Sequence, residues 1–72
     1  MDLKAFQIEV TSEGDSARQV FFVAAESGEA AVALLANHSA LLPNFKLKLQ
    51  RRLSDAEIDI HQLGPGMIVQ WM

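Results

Sequence analysis

Phe45, Leu47, Leu49 and Leu53 alternate with Lys46, Lys48, Gln50 and Arg52. Alternation with this period marks a strand with one apolar and one polar face. It gathers four of the chain's six basic residues, Lys46, Lys48, Arg51 and Arg52, on one short element. Lys46, Lys48 and Arg52 project from the same side in this reading, as a patch for phosphate or carboxylate groups. Sheets that bind nucleic acid normally add aromatic stacking platforms to such a face. No outward position here is aromatic, so a solvated, salt-bridged strand explains the same residues more simply.

Glu57, Asp59 and His61 follow at i, i+2, i+4 and would point one way from a strand. Two carboxylates and an imidazole suit a divalent metal, but strand alternation alone accounts for them, and neither metal nor cofactor is expected. His38 falls near a helix end, where capping or partial burial in the core explains it. Cysteine and tyrosine are absent. Thr11, Ser12, Ser16, Ser27, Ser39 and Ser54 all sit at predicted strand ends, turns or caps, where hydroxyls serve the backbone. Gly64-Pro65-Gly66 leads into a strand pattern rather than a helix, so it is no phosphate-binding loop. The expectation is a non-enzymatic chain, and no motif is specific enough to name a family.

The elements that position these residues read as follows. Phe6, Ile8 and Val10 alternate with Gln7, Glu9 and Thr11, which predicts a strand over Leu3 to Thr11. Glu13-Gly14-Asp15-Ser16 is turn chemistry. A β-rich run from Arg18 to Ala25 returns from it, and pairing Val10 with Val20, Ile8 with Phe22 and Phe6 with Ala24 keeps one face apolar. Ser27 is a helix N-cap, Glu29 favours the dipole in the first turn, and Ala30 to Ala36 is a run of helix formers. Pro43 forbids continuation.

Ser54 and Glu57 can be read two ways. Ser followed three residues later by Glu is a capping box and would start a short helix. Ala56, Ile58 and Ile60 nonetheless alternate with Glu57, Asp59 and His61, which favours a strand. The resulting hairpin places Arg52 against Glu57, Gln50 against Asp59, Lys48 against His61, and Leu49 against Ile60. Met67 to Met72 completes the chain as a β-rich segment ending beside Trp71. The fold class is α+β: a single domain over residues 1–72 in ββαβββ order, with an antiparallel sheet of four to five strands, open or barrel-like, and one helix packed on it.

The chain is 50% hydrophobic and 21% charged with a formal charge of −3, which fits a globule and argues against general attraction to nucleic acid or anionic lipid. No apolar run is long enough to span a bilayer, and Met1 to Val10 lacks a signal-peptide core. The expected setting is cytoplasmic. A core of this size rarely supplies more than about 3–5 kcal/mol, and no disulfide can add to it. Val20 and Phe22 fill one face of the second strand, yet Phe21 and Val23 are apolar on the other. Such a continuous run marks a strand covered on both sides. The favoured cover is a second copy of the chain, with Phe21, Val23, Ile68 and Met72 as the interface of a homo-oligomer, most simply a dimer. The alternative is a closed, barrel-like sheet in which the chain itself covers Phe21 and Val23. The function expected is a protein-interaction or assembly module, with oligonucleotide or other anion binding on the basic strand as the alternative.

Overall fold

The computed structural model describes residues 3–12, 17–38 and 45–71. The chain runs β1 (Ala5–Ser12), β2 (Arg18–Ala24), α1 (Gly28–Ala36), β3 (Phe45–Arg52), α2 (Asp55–Ile60) and β4 (Ile68–Gln70). The four strands form one antiparallel sheet in the order β3-β1-β2-β4. Among the described residues β3 and β4 are the edges of this sheet. The Glu13–Ser16 turn, the Pro43 stop signal and Met72 lie outside the described residues.

The β1–β2 hairpin forms, one residue away from the expected register. Ile8 pairs with Phe21 and Phe6 with Val23, while Val10 meets Gln19. Because side chains alternate with period two, this single step transfers β2 from one face to the other. Phe21 and Val23 thereby join Phe6, Ile8 and Val10 on the face that α1 covers with Ala31 and Leu35. Val20 and Phe22 turn to the opposite face, where Leu53, Ile58 and Leu63 meet them. Each face therefore has its own apolar cluster, and the continuous run Val20-Phe21-Phe22-Val23 is a strand buried from both sides by its own chain.

This corrects the expected interface. Phe21 and Val23 are 0% exposed and form the interior beneath α1, so neither is available to a second copy. Ile68 is partly buried against the same cluster. The physical reason is the register of β2, which turns Phe21 and Val23 beneath α1 and leaves Val20 and Phe22 to be covered by Ile58 of α2 with Leu53 and Leu63.

α2 also corrects the expected fifth strand, so the order is ββαβαβ. Six residues are few for a helix, and this one is closed at both ends. The Ser54 side chain accepts from the Glu57 backbone N–H at 3.2 Å, and the Glu57 carboxylate accepts from the Ser54 N–H at 3.0 Å. At the other end the Gln62 N–H donates to Asp59 and the Leu63 N–H to Ile58, with Gln62 left-handed at φ 53°. That pair of bonds is the Schellman arrangement, and Leu63 and Ile58, the residues whose apolar contact usually accompanies it, are buried in the same cluster. The capping box outweighs the alternation because it satisfies backbone groups directly. Ser54→Ala should lower stability by about 1 kcal/mol, read by urea unfolding.

Helix α1 forms as expected. Ser27 Oγ accepts from the Ala30 N–H at 3.1 Å, and Glu29 lies in the first turn. Gly28 lets this first turn approach β3: a side-chain Cβ there would lie 2.5 Å from a terminal methyl of Leu49.

Candidate functional site

Strand β3 carries a register shift where it pairs with β1 between Gln7 and Ile8. Ile8 faces Leu49 and Gln7 faces Arg51, which leaves Gln50 as the extra residue of a bulge. The bulge re-sorts the basic side chains. Lys46 and Lys48 lie across from Thr11 and Glu9, on the α2 side of the sheet. Beyond the bulge Arg51 stays on that side opposite Gln7, whereas Arg52 pairs with Phe6 and belongs to the α1 side. The three cations expected to form one patch, Lys46, Lys48 and Arg52, are thus divided between two faces. None of the three has an ion-pair partner among the described residues.

Arg51 is engaged instead. Its guanidinium donates to both oxygens of Glu57 at 2.8 and 2.6 Å, tying β3 to the first turn of α2. The expected Arg52–Glu57, Gln50–Asp59 and Lys48–His61 pairs of a hairpin do not form, since residues 55–60 are helical. Helical phase also separates Asp59 from Glu57 and His61, which lie four apart on one side. Among the described residues no three His, Asp or Glu side chains come together as metal ligands.

The fork of Arg51, together with the Ser54 backbone N–H, holds the Glu57 carboxyl at about 2, well below its ordinary 4.5. The same hydrogen bond raises Arg51. A depressed carboxyl contributes stability that is present above its unfolded value and disappears as pH falls through the folded one. Wild type should therefore lose stability more steeply than Glu57→Gln between pH 4.5 and 2, read by urea midpoints at successive pH values. Parallel curves would mean that the Arg51 fork contributes nothing in solution.

Beside this fork lies a cleft of about 380 Å³ on the part of the sheet that α2 leaves open. Its floor is a linked chain of planar polar groups. Arg18 donates to Glu9 at 3.3 Å, Gln50 donates to the same Glu9 oxygen at 3.3 Å, and Gln7 donates to Gln50 at 2.6 Å. One wall is aromatic. His61, the residue that caps α2, lies 4.7 Å from the Phe22 ring and 5.0 Å from Trp71 between centroids, and Phe22 lies 5.5 Å from Trp71. Trp71 is fixed by its backbone N–H, which donates to the Val20 carbonyl at 2.7 Å, yet it stays 58% exposed. The larger hollow, about 450 Å³ between Leu3, Ala24, Leu34 and Pro65, is mainly apolar.

Sequence reading missed this cleft because its parts are distant in the chain. Gln7, Arg18, Gln50, His61 and Trp71 meet only through the β1–β2 register, the β3 bulge and the helical ending of α2. The one local signal was the capping box, which makes α2 a helix and brings His61 to the wall. His38, by contrast, lies edge-on to the Phe21 ring at 5.6 Å, a packing role. No helix among the described residues is long and apolar enough to cross a membrane. Compared with known proteins, the chain matches no family model, no curated protein and no solved structure.

Proposed function

We propose that this chain is a small non-enzymatic protein-interaction module whose binding element is the outer edge of β3. The observation that carries the reading is an eight-residue edge strand on which every residue but Leu47 is exposed. A long edge strand offers backbone donors and acceptors to an added strand. Extended segments dock on such edges through main-chain hydrogen bonds, with alternate side chains supplying specificity. On β3 those side chains are Lys46 and Lys48 on one face and the half-exposed Phe45 and Leu49 on the other.

The charges favour one kind of partner. Two copies of β3 paired with each other would bring cations against cations, because Phe45–Arg52 contains no Asp or Glu. Like charges across a strand pair oppose association. An extended segment that alternates acidic and apolar residues meets both faces. This places a heteromeric partner ahead of the homodimer, whose expected apolar contact is absorbed by the core. Anion or nucleic-acid binding through Lys46, Lys48 and Arg52 ranks lower, since those side chains do not converge. A cytoplasmic location belongs to the same proposal and rests on composition.

The test is a titration of the full chain with a ten-residue peptide alternating Glu and Val, followed by amide shift changes, with a Lys and Val peptide as control. Binding of the acidic peptide alone, with shifts concentrated on residues 45–52, is the expected result. Equal response to both peptides, or shifts scattered away from β3, would overturn it. A dimer by light scattering without peptide would point to assembly between copies instead.

A further inference from the structure

We infer that the cleft between Trp71 and the Gln7–Gln50–Glu9–Arg18 chain is a binding site for a neutral sugar ring. Nothing in the edge-strand reading requires it, and a ligand there would touch the open sheet face rather than the strand edge.

Three observations select the ligand class. The first is charge. The two guanidiniums that line the cleft, Arg18 and Arg51, are each already held by a carboxylate, Glu9 and Glu57. Neither guanidinium is therefore left unpaired for a phosphate or a free carboxylate. A neutral ligand brings no charge that must be matched.

The second is the arrangement of the rings. Phe22, His61 and Trp71 pack on one another with centroids 4.7 to 5.5 Å apart. That spacing is direct ring contact and leaves no slot in which a flat base could be sandwiched. What remains accessible is one apolar platform, the exposed part of Trp71, on a single wall. A pyranose can use this platform with its C–H face, and a flat base stacks on the same face, so the choice of a sugar rests on the polar floor that meets the hydroxyls around its rim.

The third is the hydrogen-bond inventory of the floor. Gln7, Gln50, Glu9 and Arg18 are planar side chains that fix one another's orientation, and each keeps capacity beyond the bonds it makes. Glu9 Oε2 accepts from both Arg18 and Gln50, and its other oxygen carries neither of these bonds. Gln7 donates through one N–H and retains its carbonyl oxygen as an acceptor. Donors and acceptors thus alternate along the floor, which is what a row of hydroxyls, each donor and acceptor at once, can use. The volume, about 380 Å³, lies within the range of small-molecule sites, roughly 300–1,000 Å³.

The chain contains a single tryptophan, so its intrinsic fluorescence reports on Trp71 directly. The experiment titrates the full chain with glucose, galactose, mannose, N-acetylglucosamine and their common disaccharides, with adenosine and inorganic phosphate alongside. At least one sugar should give a saturable change in Trp71 emission, with adenosine and phosphate giving none. Gln50→Ala, a change at an exposed side chain, should weaken that sugar roughly threefold to tenfold, the size of one lost hydrogen bond between neutral groups. Trp71→Ala, followed by amide shifts instead of fluorescence, should abolish binding while urea unfolding shows the chain still folded. If Trp71→Ala does not fold, Gln50→Ala decides alone. The proposal is overturned if no sugar saturates the signal, if Gln50→Ala leaves sugar affinity unchanged, or if adenosine or phosphate binds more tightly than every sugar.

Discussion

Replacing Phe21 with alanine should unfold this chain, not dissociate it. The side chain is 0% exposed and is the largest fully buried one. It packs in the α1-side cluster with Phe6, Ile8, Val10, Ala31 and Leu35 and meets the His38 ring edge-on. Truncating a buried phenylalanine costs about 3–5 kcal/mol, through lost transfer energy and the cavity left behind. A single core in a chain this short supplies about the same amount. Far-UV circular dichroism should therefore show loss of cooperative melting in Phe21→Ala. Ile60→Ala, at a 74% exposed position, should stay within about 0.5 kcal/mol of wild type. Wild-type melting should not depend on protein concentration, because the cover over Phe21 is intramolecular. A Phe21→Ala chain that keeps its stability would mean that α1 does not seat on this face.

The reason Phe21 was legible as buried, but not by what, lies in how patterns encode structure. Its β-rich run showed that both faces of β2 are covered. Whether the second cover is a helix or a partner depends on residues 54–60, where two local signals compete. Alternation at Ala56, Ile58 and Ile60 suggests a strand, yet the capping box at Ser54 and Glu57 and the Leu63–Ile58 closure act on backbone groups that must be satisfied. Ile60, 74% exposed, shows the alternation to be incidental. The hairpin register was off by one because Val10 opposite Gln19 looks poorer, pair by pair, than Val10 opposite Val20. Only the joint demands of α1 and α2 select the observed pairing. The β3 bulge leaves only one mark in the sequence, Arg51 at a position where the alternation calls for an apolar residue, and a single break of this kind does not say which residue is the extra one. Since the bulge decides which cations share a face, the distribution of charge on β3 could not be read from spacing.

Reversing that charge should reverse partner choice at the edge. Lys46 lies opposite Thr11 and Lys48 opposite Glu9, so the two positions call for different substitutions. Lys46→Glu places no carboxylate beside another across β1, whereas Glu at position 48 would face Glu9 and disturb the sheet itself. The informative variant is therefore Lys46→Glu combined with Lys48→Gln. Each opposed charge pair across a strand contributes about 0.2–1 kcal/mol, and a like pair opposes by a similar amount. Reversal at one site and neutralisation at the other then remove about 0.6–3 kcal/mol of binding. That is roughly a threefold to hundredfold loss of affinity for the alternating Glu and Val peptide. The Lys and Val peptide should gain at the same time, a change of sign that a damaged fold cannot produce. Neither lysine has an ion-pair partner among the described residues, so urea midpoints should move little. Wild-type affinity for the acidic peptide should also fall as salt screens the exposed pairs, and the variant should lose that dependence. Fluorescence anisotropy with labelled peptides at two salt concentrations reads all of these effects. An acidic peptide that binds wild type and variant equally well would remove Lys46 and Lys48 from the edge's recognition chemistry and leave backbone pairing and the Phe45 and Leu49 side chains as its basis.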